Sequence, residues 1–265
     1  MQKSALKPRN TKLVKGLSLA CVCTLLLSLG FSIWQGLTND YSAVLDTSEI
    51  ALIQLDPPAE GSPVAQMHTT AGDMTFTLFP EECPQTVANF ISLAQSGAYD
   101  GTYVFRIEPD VFFSAGSSSP EGAPVNENDA AEHIPQELSP KLWPLRGALC
   151  ALTTKTEGGF WKTLTKTRES FTGSRFLVAD SISFSEEMKN ELLTSASEGM
   201  KPVAEAFAEH GGIPNYSQQI TVFGQMTDGF EILDAITGAA VTGEQNAQRP
   251  KDEIRITGIE IQTAK

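Results

Sequence analysis

The chain has 265 residues, of which 41% are hydrophobic, with 21 Gly, 15 Pro and a formal net charge of −13. This composition excludes a disordered or fibrous protein, and the length suffices for one or two domains with a buried core. Five basic residues precede Asp40, which leaves 14 basic and 32 acidic residues in the rest of the chain. Because a body with this excess of acidic residues repels the phosphate backbones of nucleic acids, no nucleic-acid partner is predicted.

The first 39 residues have the pattern of a basic leader followed by an apolar segment. Residues 1–15 carry all five of those basic residues, and residues 16–39 carry no charge. About 20 apolar residues cross a hydrocarbon core of about 30 Å as a helix. By the positive-inside rule, the pattern predicts a single-pass cell-membrane anchor with a cytoplasmic N-terminus and an extracytoplasmic body.

Two alternatives to an uncleaved anchor are compatible with the same residues. A signal peptide cleaved near residues 36–38 or 42–44 would leave a secreted body, although neither stretch has the usual small-residue pattern. Lipid attachment at Cys21 is suggested by the preceding Leu-Ser-Leu-Ala, in which the leucine spacing is one residue off that of a lipobox.

Residues 40–63 are rich in Pro and Gly and are predicted to form a linker. Residues 67–80 alternate between apolar and polar around a turn at 71–73, which predicts a β-hairpin. Residues 84–96 then change to helical spacing, with a proline suited to the first turn and apolar residues on one face: Val87, Phe90, Ile91 and Ala94.

Beyond this helix, the pattern is that of short strands separated by Gly, Pro and Ser clusters, typical of an all-β barrel or sandwich. The predicted strands are 103–107, 111–115, 147–153, 175–179, 220–226 and 254–262. A second short helix is predicted over 229–236, and residues 185–212 have the apolar spacing of one or two helices.

Only two of the four cysteines, Cys83 and Cys150, lie outside the predicted anchor, which excludes a disulfide-dense scaffold. They are compatible with one bridge or with two buried thiols, and the latter state is the more common for isolated cysteines in apolar surroundings. The histidines His68, His133 and His210 are widely spaced and no cysteine pair is near them. Neither a metal nor a cofactor is therefore predicted.

Six motifs follow one another in a specific order. They are LFPEECPQTVANF at 78–90, YDGT at 99–102, GALCA at 147–151, GSRF at 173–176, TVFG at 221–224, and Gly229 followed by Asp234-Ala235-Ile236. Together, over about 64–262, they resemble the cyclophilin-type peptidyl-prolyl isomerase domain, in which "LFPEEAPKTVENF", "YDGT", "GSQF" and "TVFG" are typical. Each motif alone is weakly specific, whereas six in order over nearly 200 residues are not expected by chance.

The resemblance implies a mainly β domain over residues 64–265. Its fold would be an eight-stranded antiparallel barrel capped by two helices, with a shallow groove for an X-Pro peptide on one side. Residues 185–212 would then be a helical insertion near the rim of that groove.

The resemblance also assigns roles, position by position. The arginine of the family's "FHR" falls on Arg106, which is therefore expected to be catalytic. The peptide-binding positions fall on Val111, Phe112, Ser114, Leu149, Arg175, Leu177, Asn215 and Ile220. Several of these depart from the family: a Gln is replaced by Ser114, a pocket Phe by Leu177, a His by Ile220, and a Trp or His by Asn215.

The implied activity is cis–trans isomerisation of X-Pro bonds in secreted or cell-surface polypeptides, by a monomer without a cofactor. The departures leave a second interpretation open: a module that holds proline-containing or unfolded segments without accelerating rotation. Retention of the Arg106 cation favours the first interpretation, and loss of the polar groove residues favours the second.

Overall fold

The structure is a computed structural model that describes residues 47–123, 125, 134–155, 170–244 and 247–264. Eleven strands lie in these ranges: β1 Pro63–Thr69, β2 Gly72–Leu78, β3 Arg106–Glu108, β4 Phe112–Ala115, β5 Ile134–Pro135, β6 Ala148–Lys155, β7 Ser170–Ala179, β8 Thr221–Asp228, β9 Val241–Thr242, β10 Arg249–Pro250 and β11 Ile256–Thr263. The four α-helices there are α1 Pro84–Gln95, α2 Glu186–Ser195, α3 Lys201–His210 and α4 Phe230–Thr237.

Eight strands form one antiparallel path in the order β11-β1-β2-β8-β6-β7-β4-β3, and β5 adds to β7 beside it. Tyr103 makes β-bridges to both Ser117 and Arg255, so the β3 end of the path lies beside the β11 end. The sheet therefore curves into a half-barrel around one apolar core. The predicted mainly β fold of eight antiparallel strands with helices is confirmed.

The first hairpin is set by its turn. The hydroxyl of Thr69 accepts hydrogen bonds from the amides of Ala71 and Gly72 and donates to the Gly72 carbonyl at 2.7 Å. Gly72 has a φ of 137°, and a Cβ there would collide with Ile232 of α4. The turn thus requires glycine both for its backbone angle and for the close approach of the helix.

Helix α1 covers one part of the core with a face of fully buried side chains that includes Val87 and Phe90. The carboxylate of Glu137 accepts hydrogen bonds from the Thr86 amide and hydroxyl, at 2.9 and 2.8 Å, so it caps the free N–H groups of the first turn. Ile91 was expected on the buried face but is only half-buried and packs at the edge of the core.

The predicted insertion consists of α2 and α3. Ser185 caps α2 by accepting a hydrogen bond from the Met188 amide at 3.2 Å. Helix α3 buries Val203, Ala206 and Phe207 against Trp143 and Leu145, and together these five side chains form a second, smaller apolar cluster.

The described part of the predicted linker, from Thr47 onward, packs on the body through Gln54. The Gln54 side chain is 5% exposed; it donates to the Trp143 carbonyl and to Gln225, both at 2.8 Å, and accepts from the Trp143 amide at 2.6 Å. Of the helices in the described ranges, none is both long and apolar enough to cross a bilayer. The predicted leader and anchor, residues 1–39, lie outside those ranges.

Candidate functional site

Strand register brings four of the predicted site residues to one face of the sheet. Arg106 on β3 is directly opposite Ser114 on β4, and Ser114 is directly opposite Leu177 on β7. Because side chains alternate between the two faces of a strand, Phe112 lies on the same face as Ser114, two residues away. Phe112, Ser114 and Leu177 are 4%, 1% and 1% exposed, so Arg106 is the exposed member of this set. We call the face defined by Arg106, Phe112, Ser114 and Leu177 the arginine face.

The guanidinium of Arg106 is oriented by two neighbours. Its Nη2 atom lies 3.5 Å from a carboxylate oxygen of Glu108, and its central carbon lies 5.2 Å from the centre of the Phe112 ring. The Nε atom is buried and has no hydrogen-bond partner within the described ranges. The side chain as a whole remains 38% exposed. The side chain therefore combines a buried, unsatisfied N–H donor beside an apolar ring with an exposed part that an incoming acceptor can reach.

A loop closes the arginine face on its other side. The 3₁₀ turn Pro214–Tyr216 presents the ring of Tyr216 edge-on to Phe112, with ring centres 6.3 Å apart, and Tyr216 is 38% exposed. The predicted residue Asn215 is exposed, and its carbonyl accepts a hydrogen bond from Gln219 at 2.8 Å. Tyr216 was missed by the sequence reasoning, although an aromatic residue immediately after a predicted groove position is the signal that identifies it.

The remaining predicted site residues lie at different distances from this surface. Leu149 pairs with Val178, the neighbour of Leu177, so it points to the opposite face and is completely buried in the core. Ile220 is also largely buried and belongs to the core cluster, at the start of β8.

Val111 and Arg175 are half-buried at two ends of the surface. Val111 lies in the turn between β3 and β4, and its carbonyl accepts a hydrogen bond from the Asp180 amide at 2.8 Å. Arg175 donates to the Gly122 carbonyl at 2.8 Å, which ties β7 to the loop after β4. Both residues thus have positions that shape the ends of the arginine face.

A cavity of about 400 Å³ adjoins Arg106. It is lined by Phe105, Arg106, Pro120, Glu121, Thr242, Gly243, Ala247 and Arg249. The pair formed by Glu121 and Arg249, 3.1 Å apart, belongs to this lining. The arginine face is therefore continuous with a concave surface large enough for part of a peptide.

The thiols offer no nucleophile to this surface. Cys83 and Cys150 are free and buried, so the bridge that the sequence left open is not formed. Burial, reinforced by the nearby carboxylates of Glu137 and Glu82, raises the pKa of Cys83 to about 12, and burial raises the pKa of Cys150 as well. In the described part of the chain, no group of three His, Cys, Asp or Glu side chains is arranged to hold a metal ion.

The arginine face offers non-covalent chemistry through its cation. An always-charged guanidinium with an unpartnered donor lies over the Phe112 ring, partly shielded from water. Such a group stabilises a lone pair or a developing negative charge more strongly than it does in bulk water. It can bind and polarise an uncharged polar group of a peptide.

Comparisons with known proteins give a consistent result. The family described as cyclophilin type peptidyl-prolyl cis-trans isomerase/CLD matches residues 64–261. A proposed bifunctional phosphatase/peptidyl-prolyl cis-trans isomerase of Streptococcus pyogenes serotype M6 is 34% identical over 221 residues, covering 80% of this chain and 42% of that protein. A proposed peptidyl-prolyl cis-trans isomerase of Staphylococcus haemolyticus is 32% identical over 196 residues, covering 74% of this chain and 89% of that protein.

Solved structures agree with the fold. The crystal structure of a cyclophilin-type peptidyl-prolyl cis-trans isomerase of Cryptosporidium parvum has a TM-score of 0.55 and 21% identity, covering 77% of this chain and 99% of that chain. A second structure of that protein, in the presence of the dipeptide Ala-Pro, has a TM-score of 0.54. At this level of identity the likeness shows the fold alone.

The family match extends over most of the chain and includes every predicted site residue. The staphylococcal relative is matched over most of its own length, whereas the chain spans less than half of the streptococcal one. The predicted family and the isomerase class are confirmed. The chain belongs to the cyclophilin-type peptidyl-prolyl cis-trans isomerases.

Proposed function

We propose that the arginine face binds an X-Pro segment and that Arg106 accelerates rotation about its peptide bond. The observation that carries the proposal is the buried, unpartnered Nε of Arg106 next to the Phe112 ring. A buried donor without a partner is costly in a folded protein, and a prolyl nitrogen that becomes an acceptor as amide resonance is lost would remove this cost in the transition state.

The reaction needs little besides such a donor. Rotation about a peptide bond breaks amide resonance and crosses a barrier of about 18–20 kcal/mol, so uncatalysed X-Pro isomerisation takes tens of seconds or longer. A donor directed at the prolyl nitrogen stabilises the twisted form, in which the nitrogen lone pair is no longer delocalised. Because this interaction is stronger in the transition state than in the ground state, it raises the rate. Arginine suits the role because its fork of donors stays charged.

The apolar residues of the arginine face would hold the proline ring. The accessible apolar contact would come mainly from Tyr216, which is 38% exposed and packs edge-on against Phe112, because Phe112 and Leu177 are 4% and 1% exposed. A structural neighbour of this chain was crystallised in the presence of the dipeptide Ala-Pro, which supports a proline-containing peptide as the ligand. Ser114 lies opposite both Arg106 and Leu177 and is 1% exposed, so it would form the back of the site.

The client polypeptides are proposed to lie outside the cytoplasmic membrane. The support is in the sequence: five basic residues in 1–15 precede an uncharged, mostly apolar segment over 16–39. An isomerase held there acts on chains as they emerge from the membrane. The same pattern supports a single-pass arrangement and, as the alternative, a secreted body after cleavage.

A second function, peptide holding without catalysis, is favoured by a specific feature of the arginine face. Ser114 and Ile220 stand where the family has a glutamine and a histidine, and both are largely buried. Fewer polar groups then fix the peptide backbone, and imprecise positioning lowers a rate more than it lowers binding.

The test uses the full-length chain with a series of short X-Pro peptides in a coupled isomerisation assay, together with direct peptide binding by fluorescence anisotropy. Isomerisation that rises in proportion to protein concentration and saturates with peptide is the expected result. Binding without any acceleration would replace catalysis by holding, and absence of both would reject the arginine face as the site.

A further inference from the structure

The insertion encloses an apolar groove that the isomerase reaction does not use. The groove has a volume of about 450 Å³ and runs between α2, α3 and the loop after α3. We call it the insertion groove; its lining residues with the largest apolar side chains are Trp143, Leu192, Met200, Val203, Phe207 and Pro214. This volume is in the range of pockets that take small ligands or side chains.

The groove has a rigid floor and more open walls. Trp143, Val203 and Phe207 are almost fully buried and belong to the second apolar cluster. Leu192 of α2 and Met200 before α3 are only half-buried along the opening. Because unbranched methionine adapts its shape, such a rim accommodates different apolar side chains.

The loop after α3 connects this groove to the arginine face. Pro214 and Ser217 line the insertion groove, whereas Tyr216, between them, contacts Phe112. The two surfaces are thus separated by the thickness of one loop. Since an extended peptide covers about 3.3 Å per residue, a chain bound at Arg106 reaches the insertion groove within a few residues.

The charge around the insertion groove indicates what kind of segment fits. Residues 185–212 contain six Glu and two Lys. Lys189 pairs with Glu186 at 3.2 Å and Lys201 pairs with Glu198 at 2.7 Å. The other glutamates, Glu187, Glu191, Glu205 and Glu209, have no lysine or arginine partner in the described part of the chain. None of these four glutamates lines the groove, but the insertion that forms it carries a net charge of −4 from its six Glu and two Lys. An apolar groove with such an anionic surround favours an apolar side chain flanked by cations and disfavours an anionic surface.

We propose that the insertion groove is a second subsite for the client polypeptide, taking an apolar side chain that is flanked by Lys or Arg and lies a few residues from the X-Pro bond. This inference rests on the proposed function, because the arginine face sets the direction in which the client polypeptide runs toward the groove. Binding in the groove itself does not depend on rotation about the X-Pro bond. It makes the insertion a determinant of client selection, with the anionic surround selecting basic flanks.

The experiment compares peptides and variants of the full-length chain. One peptide is a short X-Pro sequence; longer ones carry a Leu between two Lys at varied distances from the proline. The variants are Leu192→Asp, which places a charge in the groove, and Leu193→Asp, its neighbour, which is exposed and outside the lining. Ser195→Trp, at an exposed lining position, fills the groove without removing an apolar residue.

At one of the Leu-to-Pro spacings, we expect the KM of the long peptide to be roughly tenfold below that of the short peptide. Burial of one apolar side chain contributes enough affinity for this difference. Leu192→Asp and Ser195→Trp should abolish this advantage and leave the short peptide unaffected, while Leu193→Asp should retain it. Replacing the two Lys by Glu should also abolish it.

Equal KM for short and long peptides at every spacing would overturn the subsite while leaving the isomerase intact. Conversely, a long peptide in which Ala replaces the proline reports binding to the groove alone, measured by fluorescence anisotropy. If Leu192→Asp abolishes the binding of this peptide, the subsite is supported even if no isomerisation is seen. If the parent self-associates or binds vesicles and Leu192→Asp abolishes this, the groove takes a second copy of the chain or lipid, respectively. Either result would overturn the proposal.

Discussion

Two arginines in this structure have nearly the same surroundings but different expected roles. Arg106 lies over Phe112 and near Glu108, and Arg255 lies 3.9 Å from the centre of the Tyr103 ring and pairs with Glu253 at 2.8 Å. Their side chains are 38% and 37% exposed. Arg255, however, also donates to the Gly101 carbonyl and the Tyr103 hydroxyl. The donors of Arg255 serve the fold, whereas the buried Nε of Arg106 has no hydrogen-bond partner in the described part of the chain.

The two thiols should be unreactive in the native protein. Burial raises the pKa of Cys83 to about 12, so the reactive thiolate is almost absent at pH 8. We expect iodoacetamide to label Cys83 and Cys150 only after unfolding, as measured by mass spectrometry of their peptides. Because the unfolded thiols ionise near pH 9 and the folded ones do not, stability should fall as the pH rises above 9. Labelling of the native protein at pH 8 would contradict this burial.

At the residue scale, the sequence predicted which strands carry the site but not which side chains reach it. Leu149 and Leu177 look equivalent in sequence, yet the pairing of β6 with β7 turns Leu149 to the core. Such a choice depends on the register between distant strands, and one residue of shift reverses the faces. Tyr216 likewise depends on how its loop packs over Phe112, a contact between residues 104 positions apart in the numbering.

Among the elements, α1 contributes most to the aromatic packing of the core. The ring of Phe90 lies 5.3, 5.8 and 5.2 Å from the rings of Tyr99, Phe176 and Phe223, which come from three other parts of the chain. The turn around Gly97 and strands β7 and β8 are thus joined through one side chain. Local spacing predicted this helix, because its apolar period and its initial proline are visible in the sequence.

Phe90→Ala should lower the free energy of unfolding by about 3–5 kcal/mol, because a large cavity would remain between three rings. Ser92→Ala, at an exposed position on the same helix, should change it by less than about 0.5 kcal/mol. Urea unfolding followed by fluorescence measures both. A loss below 1 kcal/mol for Phe90→Ala would contradict the packing described for α1.

The segment before α1 is tied to the loop at 139–141 by an ion pair. Glu82 accepts hydrogen bonds from Lys141 at 2.7 Å and from Ser139 at 2.6 Å. Burial by itself would raise the pKa of Glu82, but the contacts with Lys141 and Ser139 outweigh burial and lower it. A carboxyl whose pKa is lowered by folding adds stability above its unfolded pKa of 4.5 and loses that contribution as the pH falls.

Lys141→Met should therefore destabilise the protein at pH 7 and have a progressively smaller effect as the pH falls below 4.5. Urea unfolding of the parent and the variant across pH 3–7 measures the difference. Lys251→Met, an exposed lysine outside this ion pair, is the control and should show no such trend. A difference independent of pH would mean that Lys141 acts through packing and not through its charge.

At the scale of the whole molecule, segments far apart in sequence complete the body. Gln54, in the segment predicted as a linker, is buried by bonds to Trp143 and Gln225. A polar residue in a Pro-rich stretch has no sequence signal for burial, since its partners are 89 and 171 residues away. Variants are for this reason best measured in the full-length chain.

The predicted topology is tested by protease added to intact cells. If residues 16–39 anchor the chain with its N-terminus inside, protease should remove the body, and the cell-associated remnant should retain the leader. Release of a body whose N-terminus lies beyond residue 38 would instead indicate cleavage. Complete protection of the body in unbroken cells would contradict the extracytoplasmic orientation.

The most direct test of the account is the isomerisation rate of Arg106→Ala beside that of Arg255→Ala. Removing one preorganised donor costs about 10²–10³ in rate where it is fully used; with Ser114 and Ile220 in place of longer polar groups, a smaller loss of roughly tenfold or more is expected. Peptide affinity should change little, since the interaction strengthens only as resonance is lost. Arg255→Ala should keep the parental rate under conditions in which this variant is folded. An Arg106→Ala protein as active as the parent would contradict the proposed mechanism.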